Sequence, residues 1–419
     1  MKKHTILLII LSTALVFSQT KLTLEECHEK ARANFPLIKQ KQYIVQSKEY
    51  NVSNVWKGYF PQITISGQAT YQSDVTSLPI SFPGIKIESL TKDQYKAVAD
   101  VTQVIYDGGI MSAQADIQKS SGDVDDQKVE IELLKVKERV NQLYFGVVLL
   151  NEQLVQSALV NDDLSSSLNK LNAALANGTA MKPNIDIILA ELLKNSQREI
   201  ELKASRKSFV DMLGLLINEK LDETVMLQPP SEQNAFVSEE INRPELKLYS
   251  AQKNMIENQS GLTLSKLLPK ASLFFQGGYG KPTLNMLKNN FDWFYITGAK
   301  LTWSPTNFYT FGNESEIVEL NKKSVAAQEE AFILNTKLTL KQQTGEIEKL
   351  NELIKVDKEI VVIRTSVKNA AKAQLENGVI TSNDYIRELN AEDLAKQNLA
   401  IHKTQLMLAK QNYRVTTGN

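Results

Sequence analysis

The sequence has a single cysteine, Cys27, and three histidines, so it can form no internal disulfide and offers no histidine or cysteine cluster for a metal ion. We interpret Cys27 as a small residue that packs inside a helical layer. Basic and acidic residues both number 48, so net charge does not favour nucleic acid as a partner. Motifs for a nucleophile elbow, a phosphate-binding loop or a dinucleotide turn are missing. The sequence therefore predicts no catalytic, cofactor or metal site and no enzyme.

Glycine and proline are also scarce, with 18 and 11 residues in 419. The long stretches rich in Leu, Lys, Glu, Gln, Asn and Ala are typical of long helices rather than of a compact α/β enzyme. Residues 1–18 combine a basic start with an apolar core from Ile6 to Phe17, which predicts a signal peptide and an exported protein. No later stretch has 18 consecutive apolar residues, so we expect no transmembrane helix.

Several short motifs occur twice in the same order. The sequence "LANG" ends at Gly178 and "LENG" ends at Gly378, while two pairs of prolines, Pro36 with Pro61 and Pro244 with Pro269, are each separated by 25 residues. Such self-similarity predicts a duplicated unit. We place the first repeat at 19–230 and the second at 231–419.

Each repeat contains a very long helix. A seam of apolar residues at heptad spacing runs between Gly109 and Asn177, and a second seam is interrupted at Lys368. A helix of about 65–70 residues would be roughly 100 Å long. Glycine after asparagine ends a helix in the left-handed conformation. We therefore expect two long antiparallel hairpins, with tips at about 177–186 and 377–384.

Four segments alternate between apolar and polar residues, which predicts half-buried strands. They cover about 62–73, 95–106, 271–280 and 293–304, each near the length of a tilted strand in a bilayer, and aromatic residues lie near their ends. A soluble antiparallel sheet packed on helices is the alternative. Because four strands cannot close a barrel and open edges are not tolerated in lipid, the membrane interpretation requires several chains and hence a homo-oligomer.

These features together resemble the TolC-like outer-membrane efflux proteins. The resemblance rests on "LTLEECHEKARANFPLI", "FPQITISGQATY", "LPKASLFFQGGY", "YDGG" and "ENGVITSNDYIRELNAE", and on their order and duplication. It implies a mainly helical protein whose trimer forms a twelve-stranded barrel in outer-membrane lipid and an α-barrel in the periplasm. A periplasmic adaptor and an inner-membrane pump would be its partners in efflux or type I secretion. The chain would conduct solute and catalyse no reaction.

The resemblance also implies three sets of functional residues. A periplasmic gate would involve Asp384 and Arg387, with Asn184 or preferably Asp186 in the first repeat. Both acids could instead be first-turn residues of a helix, favoured by its dipole. The tips would dock the adaptor, although plain helix capping explains the same residues: Asn177, Gly178, Thr179, Asn377, Gly378 and Val379. The barrel lumen would be lined by Thr64, Ser66, Gln68, Lys96, Asp100, Lys300 and Thr302.

Two other classes remain as alternatives. A periplasmic coiled-coil adaptor or scaffold without a pore would share the signal peptide and heptads but would lack paired strands with aromatic ends. An enzyme would need a cluster of perturbed carboxylates, histidines or a nucleophile, which the sequence does not offer. The cargo, whether drugs, metal ions or proteins, is not encoded in any motif.

Overall fold

A computed structural model describes residues 22–76, 90–230, 240–286 and 288–418. The predicted signal peptide and most of the linker between the first two strands lie outside the described residues. The chain forms two compact units. Of the described residues, the helical unit comprises 22–38, 132–230, 240–242 and 336–418, and the sheet unit comprises 39–76, 90–131, 243–286 and 288–335. Each unit therefore draws on both halves of the sequence.

Within the described residues, seven α-helices and four strands follow one another in an order that is similar in the two halves. The helices are α1 (Leu24–Asn34), α2 (Ile38–Trp56), α3 (Ile110–Ala176), α4 (Lys182–Ile217), α5 (Pro244–Ser265), α6 (Phe308–Glu376) and α7 (Ser382–Thr417). The strands are β1 (Gln62–Tyr71), β2 (Asp93–Tyr106), β3 (Lys270–Lys281) and β4 (Asp292–Thr302). The mainly helical fold with two long helical hairpins and four strands is confirmed, while the boundaries of the two repeats stay a prediction.

Local signals in the sequence explain several of these boundaries. Thr23 and Glu26 form the predicted capping box at the start of α1. Pro244 occupies the first turn of α5, where its missing N–H costs no hydrogen bond. Pro61 and Pro269 each lie immediately before a strand, as expected for residues that end helices. Pro36, in contrast, lies just before α2 rather than within its first turn.

The sheet unit is built on a four-stranded antiparallel sheet with the order β1-β2-β3-β4. Residues that face each other across the sheet include Thr64 and Asp100 in the first pair of strands and Ser272 and Lys300 in the last. Among the described residues, β1 and β4 are the edges and pair with no further strand. The sheet is therefore open within one chain.

The helical unit has a core at the open ends of its hairpins. The buried residues of α1 pack against α3 and α4, and Cys27 is fully buried there, which confirms its predicted packing role. Burial raises the pKa of the Cys27 thiol to about 12, so the side chain stays a neutral thiol. The Tyr144 hydroxyl lies 2.9 and 2.6 Å from the carbonyl oxygens of Leu22 and Gln228, and its single O–H donates to one of them at a time, which satisfies it inside this core.

The two heptad seams form the buried sides of α3 and α6. In α3, Leu133, Val140 and Val147 are buried, and in α6, Leu340 and Ile354 are buried. One stretch of α3, of which 33% is buried, is apolar enough to cross a membrane by length and composition alone, and the absence of a transmembrane helix stays a prediction. A core helix passes the same test, and α3 supplies much of the hydrophobic core just described.

Candidate functional site

One face of the sheet is apolar and open to its surroundings. Ile65, Trp293 and Leu301 are 82%, 77% and 75% exposed, and further exposed apolar residues on this face are Ile63, Tyr71, Leu273 and Tyr295. Aromatic side chains contact one another there, with ring centroids of Tyr279 and Trp293 at 5.0 Å. A large exposed apolar patch marks a surface that another apolar phase covers.

The opposite face of the sheet collects the predicted lumen residues. Because cross-strand partners point to the same side of a sheet, the pairing places the whole set on one face. These residues are Thr64, Ser66, Gln68, Lys96, Asp100, Lys300 and Thr302. Asp100 accepts a hydrogen bond from Gln276 of β3 at 2.6 Å. Their role as a lumen lining stays a prediction, but they do form one polar face, which we call the polar face.

Five apolar side chains interrupt the polar face, and the structure explains two of them, Phe294 and Phe274; the others are Val98, Val104 and Ile296. Phe294 is buried because its ring lies over Gly278, where an added Cβ would come within 2.8 Å of it. The ammonium of Lys96 lies 4.8 Å from the centre of the same ring, a cation–π contact. Phe274 lies against Gly298 in the same way. The glycines thus provide flat positions on which aromatic rings lie along the sheet.

A cavity of about 650 Å³ lies at one end of the polar face, within the sheet unit. It is bounded by the end of β2, the start of β3, the end of β4 and the first turns of α3. Two of the predicted lumen residues, Lys300 and Thr302, line it together with Lys270. Lys270 was not among the predicted lumen residues, because the strand was predicted to begin at about 271, whereas β3 begins at Lys270.

The "YDGG" motif connects β2 to α3 beside this cavity. The carboxylate of Asp107 accepts hydrogen bonds from the Tyr59 hydroxyl and the Gly109 N–H, both at 2.9 Å, and from the Met111 N–H at 2.6 Å. Burial raises the pKa of this carboxyl, but the three donors outweigh it and hold the pKa below its usual value. Gly108 has a φ of +76°, and an added Cβ there would lie 2.8 Å from the Ser265 carbonyl oxygen.

The two hairpin tips, in the helical unit, have the same backbone geometry. Gly178 and Gly378 both have a φ of +72°, as the sequence predicted. Thr179 and Val379 donate N–H bonds back to the carbonyls five residues earlier, those of Ala174 and Gln374, in the Schellman pattern, at 2.9 and 2.8 Å. All the predicted docking residues are exposed: Asn177, Gly178, Thr179, Asn377, Gly378 and Val379. Helix capping therefore explains these residues locally, and adaptor docking stays a prediction.

We expect the tip glycine to matter for its backbone angle alone. No atom lies within 4 Å of a Cβ added at Gly378, so Gly378→Ala should lower the free energy of unfolding by about 1–2 kcal/mol through the left-handed strain. Gly345 in α6 also has open space around an added Cβ but has ordinary helical angles, so Gly345→Ala should raise stability by about 0.5–1 kcal/mol. Urea unfolding of both variants tests this, and two shifts of the same sign would contradict it.

Asp384 of the predicted gate is a capping residue in the single chain. It forms a capping box with Thr381 at the start of α7, in which its carboxylate accepts from the Thr381 hydroxyl at 2.7 Å. The hydrogen bonds from Thr381 hold the pKa of Asp384 below its usual value. The helix-terminus interpretation is thus observed, and the gate role stays a prediction that needs neighbouring chains.

Neither of the other two predicted gate residues, Arg387 and Asp186, forms a hydrogen bond or an ion pair with Asp384 within the described residues. Arg387 is exposed and pairs with Glu388 at 3.1 Å instead of with Asp384. Asp186 is exposed on α4, and the first turn of that helix contains no acidic residue. The dipole explanation therefore fits Asp384 but does not fit Asp186.

A buried charge cluster joins the two hairpins above their tips. Lys368 of α6, whose side chain is 9% exposed, pairs with Asp163 of α3 at 2.8 Å and with Glu392 of α7 at 3.4 Å. Lys372 and Lys396 pair with the same two carboxylates at 2.6 and 2.9 Å. The interruption of the heptad seam at Lys368 was the signal for this cluster, but its partners belong to other helices and could not be read from it.

The charge cluster adjoins a hydrophobic cluster that packs the hairpins together. Hairpin one contributes Leu164, Leu171, Ile185 and Ile188, and hairpin two contributes Ala371, Leu375, Tyr385, Ile386 and Leu389. Lys170 and Glu376 add an ion pair between the hairpins at 2.5 Å. The four helix ends nearest the tips therefore form one packed bundle.

Comparison with known proteins identifies the fold. No protein-family model matches the chain, and neither does any curated protein. Among solved structures, the outer membrane protein VceC of Vibrio cholerae aligns with a TM-score of 0.68 at 12% identity, covering 94% of this chain and 96% of VceC. The outer membrane channel CmeC of Campylobacter jejuni gives 0.67 at 13%, covering 94% and 85%. The open state of the outer membrane channel MtrE of Neisseria gonorrhoeae gives 0.66 at 12%, covering 94% and 88%. The fold of the single chain that the resemblance implied is confirmed, and the trimeric barrel stays a prediction.

Proposed function

We propose that this chain, which has the fold of outer-membrane channels, is the outer-membrane exit channel of a tripartite export system. The observation that carries the proposal is the two-faced sheet, with exposed apolar and aromatic residues on one side and the polar face on the other. Lipid outside and water inside require this alternation in a membrane barrel. The chain would transport solute without catalysing a reaction.

The open sheet edges support a homotrimer. Unpaired N–H and C=O groups of β1 and β4 would each cost several kcal/mol in lipid, so each edge must pair with another chain. Three copies of four strands would close a twelve-stranded barrel. Exposed apolar residues on α6, such as Val362 and Ile363, also suit burial against a second copy.

The helical hairpins support the periplasmic part of the proposal. A protein exported by residues 1–18 would insert the sheet into the outer membrane and leave the hairpins in the periplasm. The exposed tips at Gly178 and Gly378 would then meet a periplasmic adaptor, and an inner-membrane pump would supply the energy. Small molecules or polypeptides would pass through passively. A coiled-coil scaffold without a pore would not require a sheet with an exposed apolar face.

The experiment that tests the proposal measures assembly and conductance of the same sample. Detergent-extracted protein should have the mass of three chains, and after insertion into a planar bilayer it should give discrete conductance steps. A monomer would contradict the barrel. A trimer that inserts but stays silent, even with the gate variants described next, would contradict the pore.

The gate assignment is tested in the same bilayer. Asp384→Asn removes the charge but keeps an oxygen that can accept from Thr381, whereas Asp384→Ala also removes the cap. If a ring of three Asp384 carboxylates with Arg387 holds the tunnel closed, the Asn variant combined with Arg387→Ala should open more often and conduct more. An effect seen with Ala and not with Asn would assign Asp384 to helix capping alone.

A further inference from the structure

We infer that the cavity at the end of the polar face binds amphiphilic organic anions, that is, solutes with one acidic head group and an apolar body. The inference deepens the proposed function, because the cavity would then be a solute-binding site within the conduit. Three features of the sheet unit support it: two unpaired lysines, a carboxylate that is already hydrogen-bonded, and an apolar wall.

The first observation concerns the cationic groups. Lys270 lies opposite Thr302, and Lys300 lies opposite Ser272. The two lysines are therefore diagonal neighbours on one face, with Cα atoms about 7–8 Å apart. Both lysines are exposed, and within the described residues neither has an ion pair or a side-chain hydrogen bond. Two like charges held together without a counter-ion attract an anion.

The second observation is that no carboxylate of the cavity is free to neutralise these lysines. Asp107 is the acidic residue among those that line it, and its oxygens already accept from Tyr59, Gly109 and Met111. The hydroxyls of Thr102, Ser272 and Thr302 also line the cavity and can donate to an acidic group.

The third observation is the apolar wall. Ile110 and Met111 from the first turn of α3 and Phe274 from β3 line the same cavity. Its volume of about 650 Å³ falls in the range of pockets that hold small organic ligands. A purely inorganic anion would leave this wall in contact with water, so the site fits an anion that carries an apolar body.

The position of the cavity identifies the source of the ligand. The lining strand residues Thr102, Phe274 and Lys300 lie on the polar face, opposite Ile65 and Trp293 on the exposed apolar face. Membrane lipid would cover the apolar face. The ligand is therefore a solute that reaches the polar face from the aqueous side.

Calorimetric titration of the full-length trimer in lipid nanodiscs tests this without requiring conductance. The probe is octanesulfonate, which stays anionic at every working pH, with empty nanodiscs as the blank. Octyltrimethylammonium keeps the chain and reverses the charge, and methanesulfonate keeps the charge and removes the chain. We expect octanesulfonate to bind more tightly than either by about tenfold or more, which corresponds to about 1.4 kcal/mol, because each of the other two probes lacks either the charge or the chain.

Charge-matched variants locate the site. Lys270→Gln with Lys300→Gln should weaken octanesulfonate binding about tenfold or more, and the two Lys→Arg changes should preserve it. Lys92 lies just before β2 and Lys281 at the end of β3, so Lys92→Gln with Lys281→Gln removes the same charge at the other end of the sheet and should leave binding unchanged. Equal weakening by both double variants would overturn the location, and equal binding of the octyl cation would overturn the ligand class. A trimer that conducts but does not bind would refute this inference alone.

Discussion

Ile65→Arg should prevent the protein from assembling in the outer membrane. Ile65 lies on the exposed apolar face of β1, where the barrel model places lipid. An arginine near the middle of the bilayer costs about 2–4 kcal/mol, and a trimer would bear that cost three times. The measurement is the fraction of membrane-extracted protein that has the mass of three chains, and we expect it to fall to a few per cent or less, since every 1.4 kcal/mol is a factor of ten.

The neighbouring residue provides a matched control. Ser66 follows Ile65 on the same strand, is also exposed and points to the polar face. Ser66→Arg introduces the same side chain on the water-facing side and should leave assembly near the wild-type level, because lumen substitutions of a barrel are tolerated. If both variants lost the trimer equally, the apolar face would not be in lipid. If both kept it, the sheet would not be the membrane-spanning part.

Lys368→Met should lower the free energy of unfolding by about 3 kcal/mol, the lower end of the cost of breaking a buried ion pair. The lower end applies because Asp163 would still form an ion pair with Lys372, and Glu392 would still form one with Lys396. Because methionine fills a volume similar to that of lysine, the decrease in the free energy of unfolding would come from the missing charge rather than from a cavity. Urea unfolding followed by helical circular dichroism measures it.

An exposed lysine of the same helix controls for the change of residue type. Lys355 pairs with Glu352 on the surface of α6, and the side chains are 68% and 72% exposed. Surface pairs of this kind contribute less than about 1 kcal/mol, so Lys355→Met should shift the midpoint far less than Lys368→Met. Adding Glu392→Gln to Lys368→Met should restore part of the lost stability. Without Lys368, the buried Glu392 carboxylate has only Lys396 as an ion-pair partner among the described residues, and glutamine removes its charge. Equal losses at both lysines would contradict a buried cluster.

The pH dependence of Lys368→Met follows from the same contacts. Burial raises the pKa values of Asp163 and Glu392, but the lysine and threonine partners outweigh burial and hold both below their usual values. A lowered pKa in the folded protein adds stability above the unfolded value of about 4 and loses it as pH falls through the folded value. The difference in stability between wild type and variant should therefore shrink below about pH 4.

The fold was largely predictable because its signals are local and repeated. The heptad seams, the Asn-Gly stops and the alternating strands each depend on residues close in sequence, and the "LANG" and "LENG" tips adopt the same Schellman geometry. The side of the sheet on which each polar residue lies also followed from the sequence, since the period of a strand is two. The register that aligns Thr64 with Asp100 did not, because pairing joins distant segments.

The sequence by itself thus determined the elements, their order, the open sheet and the choice of faces. Tertiary structure alone decided which charged groups meet. Lys368 appeared only as a break in a seam until three helices brought Asp163 and Glu392 to it. Lys270 and Lys300 likewise became one site only through the pairing of β3 with β4. The physical reason is that side-chain patterns within an element follow backbone periodicity, whereas contacts between charges depend on register and packing between elements far apart in the chain.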